Sequence, residues 1–307
     1  MRKLCCLLLC LLGSGLAQEL HVIGTGSVVG LYYPVGGAVS FIVNNAEPDL
    51  ILTVKVTAGS VTNLEALQRG DISFALVQSD VLLEMSSSES SDLPEVQALM
   101  GLHAEPLHLV CRKDAGVKEL RDIANKRVNV GDEGSGVLET VRAVLSAYRL
   151  DETKDFSALH YSPRDAPTLL AQGELDCFFF TVGIGGAAIH ATASLIDIDL
   201  IALDGPELMG LMRENPYYSF VTVPANTYEG VNQSVTLVGV KAFLVVSSGL
   251  PDDLAYRVVK ALLDSFETLK QTYPVLETVE KETLLDGLGI SLHPGAERAY
   301  REAGLLP

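Results

Sequence analysis

One eight-residue phrase occurs twice along the chain, and its recurrence limits the fold more than any other feature. Leu67-Gln68-Arg69-Gly70-Asp71-Ile72-Ser73-Phe74 is answered about a hundred residues later by Leu170-Ala171-Gln172-Gly173-Glu174-Leu175-Asp176-Cys177, a spacing too long for a solenoid repeat. Each copy reads as a helix end, a glycine where a left-handed cap is needed, an acidic residue and a buried strand. Upstream of each lies a strand, a glycine-rich turn and a helix. Val22-Ile23-Gly24-Thr25-Gly26-Ser27 opens the first unit and Val130-Gly131-Asp132-Glu133-Gly134-Ser135-Gly136 the second. Two similar α/β lobes satisfy both copies.

The rest of the chain fits that scheme. Short β-branched runs at 20–24, 50–57, 72–78, 107–112, 128–131, 177–182, 200–203 and 235–246 read as strands. Helical patterns at 36–44, 61–68, 136–148, 166–172 and 252–272 lie between them. The stretch 84–95, with its serine run, reads as a solvent loop. After Tyr228 the pattern returns to the first lobe, and the runs 107–112 and 235–246 read as crossovers forming a hinge beside a ligand cleft. Lobe I is then 18–107 with 236–307, and lobe II is 108–235. A mature length of about 290 residues exceeds the usual single core and favours that division.

Met1-Arg2-Lys3, an apolar run at 4–12 and Gly13-Ser14-Gly15-Leu16-Ala17 follow the order of a cleavable secretory signal over 1–17, leaving Gln18 first. An apolar run of about nine residues is short against the ~20 a membrane helix needs. Lipidation at Cys10 is disfavoured because Leu8 and Leu9 precede it where small residues are wanted. Cys5, Cys6 and Cys10 leave with the signal, so Cys111 and Cys177 remain in an oxidising compartment, either bridged or as two buried thiols. The formal charge of −17 argues against nucleic acid or an anionic membrane surface as partner. A local pocket of amide donors can still hold an anion in that field.

Three strand-to-helix turns carry the candidate site. Gly24-Thr25-Gly26-Ser27 has amides free to face an anion on a helix N-terminus. A dinucleotide reading fails there, because the third glycine falls one residue late at Gly30 and the next strand ends in Val56-Thr57-Ala58 without an acidic residue for a ribose. In the second turn, 57–63, Ser60 reads as an N-cap or as a cleft-facing group, with Asn63 in the first helical turn. The third turn, 131–136, repeats this in the other lobe with Ser135. Three such turns facing one cleft would clamp a small acid from both sides. Tyr32 and Tyr33 precede Pro34, which predicts extended backbone at Tyr33, one ring serving as core and the other as a lid. Gln78-Ser79-Asp80 and Thr181-Val182-Gly183 end equivalent strands, where α/β folds bind ligands.

Catalytic signatures are lacking: the sequence contains no G-x-S-x-G elbow, no H-E-x-x-H and no P-loop. His21, His103, His108, His160, His190 and His293 are scattered, and Asp132 with Glu133 reads as a solvated pair in a turn. No catalytic residue, metal or cofactor is expected, and the chain reads as a binder rather than an enzyme.

Several phrases together resemble the TAXI family, the solute receptors of one branch of TRAP transporters. They are Ile23-Gly24-Thr25-Gly26, Gly30-Leu31-Tyr32-Tyr33-Pro34-Val35-Gly36-Gly37-Ala38, Gly59-Ser60-Val61-Thr62-Asn63-Leu64, Gln78-Ser79-Asp80, Arg112-Lys113-Asp114, Thr181-Val182-Gly183, Asn215-Pro216-Tyr217-Tyr218 and His293-Pro294-Gly295-Ala296. The resemblance implies a periplasmic receptor of the type II binding-protein fold that closes on ligand and delivers it to an integral membrane permease of the TRAP type; a monomer is expected. It implies a small anionic or zwitterionic metabolite such as glutamate, glutamine or a dicarboxylate. Matching positions that would line the cleft are Thr25, Gly26, Tyr32, Ser60, Asn63, Gln78, Ser135, Thr181 and Gly183. The chain departs from the family pattern at Ile184-Gly185-Gly186, where relatives place a His-Pro type segment, and at Ser27-Val28, where a glycine is commoner. The competing reading is an exported ligand-binding sensor or antigen that contacts a partner receptor without transport.

Overall fold

The structure is a computed structural model and describes residues 18–87 and 95–307. The expected signal over 1–17 and residues 88–94 of the serine-rich stretch lie outside the described residues.

Among the described residues ten strands form in chain order: β1 (Glu19–Gly24), β2 (Leu50–Lys55), β3 (Phe74–Gln78), β4 (Val96–Arg112), β5 (Arg127–Asn129), β6 (Ser157–Leu159), β7 (Cys177–Thr181), β8 (Ile198–Ile201), β9 (Ser219–Val223) and β10 (Val235–Ser247). They join in the order β2-β1-β3-β10-β4-β7-β5-β6, with β8 added on β4 and β9 on β10. β1, β2 and β3 are mutually parallel, as are β5, β6 and β7. β10 and β4 run antiparallel to their neighbours and to each other. Two parallel triplets are therefore joined through one central pair of long strands. β3 and β7 are buried at every residue, which is why both read as continuous apolar runs rather than alternating ones.

The repeated phrase adopts one conformation twice. Gly70 and Gly173 have φ of 76° and 74°, the left-handed region that a side chain disfavours. Gly70 N donates to Leu67 O and Asp71 N to Ala66 O. Gly173 N and Glu174 N do the same with Leu170 O and Leu169 O. Each helix end is thus closed by the same pair of bonds and feeds an equivalent strand.

Four helices position the cleft: α1 (Tyr32–Ala46), α2 (Ser60–Gln68), α3 (Ser79–Ser87) and α4 (Gly136–Tyr148). The structure departs from four local expectations. Tyr33 is helical, not extended, because Pro34 sits in the first turn of α1, where its missing amide removes no intrahelical bond. Residues 84–87 close α3 rather than opening a loop. β4 is 17 residues long, not the six of 107–112. Its first part, with Gly101 and Pro106, has weak strand propensity but is held by β10, whose Gly239 lets the backbones approach so closely that a Cβ there would lie 2.9 Å from Pro106 Cα. The pattern 252–272 is two helices, Asp252–Asp264 and Phe266–Thr272, separated at Ser265.

One apolar cluster packs α4 and β7 with the second part of β4, burying Leu138, Val141, Phe178 and Phe179. Another packs α1 and the helices after 252 on β3, β10 and the first part of β4, burying Val39, Leu76, Leu244 and Val258. Each fully buried side chain of this size contributes about 1.5–3 kcal/mol. Cys111 and Cys177 face each other in the β4–β7 register and are joined by a disulfide.

Candidate functional site

The carboxyl ends of the equivalent strands β3 and β7 meet at one cavity of about 50 Å³. Of the nine sequence-predicted residues, Gly26, Tyr32, Ser60, Gln78, Ser135 and Thr181 line it. They come from both halves of the chain. α1, α2 and α4 each begin at its wall, and the first amides of α2 and α4, at Ser60 and Gly136, have no acceptor among the described residues. Ser135 caps α4 by accepting from Leu138 N at 3.3 Å. Ser60 is not a cap. Gly59 holds that place with a φ of 131°, and Ser60 Oγ instead accepts from Gln78 N at 3.1 Å.

Thr25, Asn63 and Gly183 are not among the lining residues. Thr25 Oγ1 donates to Lys55 O at 2.7 Å, tying β1 to β2. Asn63 is fully buried, and its Nδ2 donates to Thr25 O at 2.6 Å and Leu76 O at 2.8 Å while its Oδ1 accepts from Thr57 Oγ1 at 2.7 Å. Gly183 packs under Leu31, His103 and Val275, where a Cβ would overlap all three. Asn63→Ala is therefore expected to lower folding stability by about 2 kcal/mol, because the carbonyls of Thr25 and Leu76 lose a buried donor. Urea unfolding of the variant checks this, and an unchanged midpoint would return Asn63 to the list of ligand contacts.

The sequence reading passed over the acidic side of the cavity. Glu105, 3% exposed, lines it from β4 and accepts the Tyr32 hydroxyl at 2.8 Å through Oε2. Burial, and then the Glu105 carboxyl, hold the Tyr32 phenol well above its ordinary value. His103 Nε2 lies 3.5 Å from Glu105 Oε1 without forming a hydrogen bond. Asp132 also lines the cavity, and burial raises its carboxyl. Among the described residues that line it there is neither lysine nor arginine. The Thr181 hydroxyl is buried with no partner, which leaves a polar atom on the wall to be satisfied by a guest.

A polar network beside the cavity links the two halves. Gln78 Nε2 donates to Thr140 Oγ1 at 3.0 Å, and Thr140 Oγ1 and the Tyr218 hydroxyl donate to Asp80 Oδ2 at 2.6 and 3.2 Å. Burial pushes the Asp80 carboxyl up to about 6, against those donors, which lower it. Thr62 N reaches Gly134 O at 3.1 Å, so the second and third turns touch directly. Gly136 is required at this junction, since a Cβ would overlap Gln78 Oε1 and fall 2.8 Å from Ser60 Oγ. No group of three or more His, Cys, Asp or Glu among the described residues is placed to hold a metal ion.

Two parallel units bridged by a pair of long antiparallel strands, with a cavity at the strand ends between them, define the two-lobed periplasmic binding-protein fold. Solved structures share it. The periplasmic binding protein BugD matches with a TM-score of 0.58 at 13% identity, covering 94% of this chain and 99% of that one. A putative L-cystine ABC transporter from Listeria monocytogenes matches at 0.52 and 14%, over 85% and 97%. The alkanesulfonate-binding protein SsuA from Xanthomonas axonopodis pv. citri, bound to MOPS, matches at 0.51 and 16%, over 95% and 81%. The chain belongs to the NMT1-like family, whose model matches residues 23–304.

Proposed function

We propose that this chain is an exported solute receptor that captures a small polar metabolite in the cavity between its lobes and hands it to a membrane permease. One observation carries the reading: residues from equivalent strand ends of both halves, Gln78 and Thr181, converge on a single buried cavity where the Thr181 hydroxyl has no partner. A guest that bonds both walls stabilises the closed arrangement over the open one, and that difference is the signal a permease reads. The lobes are 18–107 with 236–307, and 108–235, moving about the paired strands β4 and β10. No residue acts on the bound molecule in this reading.

The finer assignment is to the TAXI branch with a TRAP-type permease, in the periplasm, as a monomer. It is supported by the phrases given above and by the leader at 1–17. A small acid, as glutamate, glutamine or a dicarboxylate, suits the amides at the starts of α2 and α4. The test is thermal unfolding of the mature chain with L-glutamate, L-glutamine, 2-oxoglutarate and succinate. A ligand present at 100 times its Kd is expected to add about 2.7 kcal/mol of stability, seen as a clear rise in Tm. A flat response to the whole panel counts against the small-acid reading.

A further inference from the structure

We infer that Glu105 is the specificity-determining residue of the cavity and that it selects a ligand bearing a protonated amine beside its acid group. The inference rests on the receptor reading and narrows it: the guest is a zwitterion of amino-acid type, and dicarboxylates that lack the amine are rejected.

Three independent features point the same way. Glu105 lines the cavity although it is almost wholly removed from solvent. One of its oxygens accepts from Tyr32, while Oε1 has only the His103 ring at 3.5 Å, without hydrogen-bond geometry. That oxygen is the acceptor an ammonium requires. Thr181 pairs with Leu107 in the β4–β7 register, which puts it two residues along from Glu105 on the same face of the sheet, and its hydroxyl is unpartnered. A hydroxyl and a carboxyl oxygen on one face make two acceptors for one –NH3+.

The opposite wall supplies donors. α2 and α4 start there, with the amides of Ser60 and Gly136 lacking acceptors among the described residues, and they suit a carboxylate. The cavity is thus bipolar, acceptor on the β4–β7 side and donor on the helix side. A ligand with two carboxylates and no amine would set one of them against Glu105, with neither lysine nor arginine in the lining to offset the repulsion, and Asp132, in the turn before α4, adds a carboxyl on the helix side. Lys241, which precedes Ala242 on the neighbouring strand β10, is engaged with Thr283 O and Asp286 O.

Matched probes isolate the amine: L-glutamate against glutarate, L-glutamine against glutaramate, and L-alanine against propionate, titrated by calorimetry into the mature chain and into Glu105→Gln. The wild type is expected to prefer the amine-bearing member of whichever pair it binds by about thirty-fold, the scale of a hydrogen bond to a charged group. Glu105→Gln keeps the shape and the acceptor for Tyr32, and it is expected to reduce that preference to about three-fold by removing the charge. Equal affinity for both members in the wild type overturns the inference while leaving the receptor reading intact. The same holds if Glu105→Gln retains the full preference. If no member of any pair binds, the assignment of this cavity to small acids falls, and the inference falls with it. Should Glu105→Gln not fold, the wild-type comparison decides alone.

Discussion

A Cys111→Ala/Cys177→Ala double variant is expected to lose about 4 kcal/mol of folding stability relative to the oxidised chain. The bond joins residues 66 apart, and in the chain-entropy account a loop of that length restricts the unfolded ensemble by an amount of that order. For a chain of this size the loss corresponds to a Tm lower by about 7 °C. Alanine leaves small voids at two fully buried positions, which adds to the loss rather than offsetting it. Circular dichroism melts of the oxidised protein, the protein under reductant and the double variant separate these effects. Reductant alone should account for most of the drop. Equal Tm values in all three samples would mean that the bond does not form in solution.

Gly136→Val is expected to weaken ligand binding by up to ~100-fold while leaving the apolar cores folded, since overpacking a tight contact costs up to about 3 kcal/mol. The added side chain overlaps Gln78 Oε1 and crowds Ser60 Oγ, where α4 of one half meets α2 and β3 of the other. The atoms that the added Cβ meets are polar side-chain ends of the other half, Gln78 and Ser60, so the clash is expected to fall on the contact between the halves. Calorimetric affinity with a parallel unfolding curve tests this. Unaltered affinity would show that the two halves need not approach as closely as they do here.

Much of the architecture was legible because it is repeated. Gly70 and Gly173 recur with the same neighbours, and each repeat needs the same left-handed residue before the same kind of buried strand. Strand ends were therefore readable, and with them Gln78 and Thr181. The helix 136–148 was legible from periodicity alone. Glu105 was not. It lies in a stretch where Ala104, Glu105 and Pro106 break the alternation, and only pairing with β10 makes that stretch a strand. β6 and β9 were missed for the same reason, being short and mostly exposed or half-buried. Asn63 misled in the opposite sense. A polar residue beside a cleft turn looks like a ligand contact, but its amide closes the chain's own carbonyls at Thr25 and Leu76. The disulfide was left open because two cysteines in apolar runs say nothing of register until β4 and β7 are paired.

One cavity holding one small polar molecule is the core of the proposed function. Protein purified without denaturation should carry that molecule, so mass spectrometry of the small compounds it releases, followed by calorimetric titration of the released compound into refolded chain, tests it most directly. The account predicts one binding site per chain, a compound with both an amine and an acid group, and loss of the heat in Gly136→Val. Saturable binding that Gly136→Val leaves unchanged would place the ligand elsewhere and contradict the account.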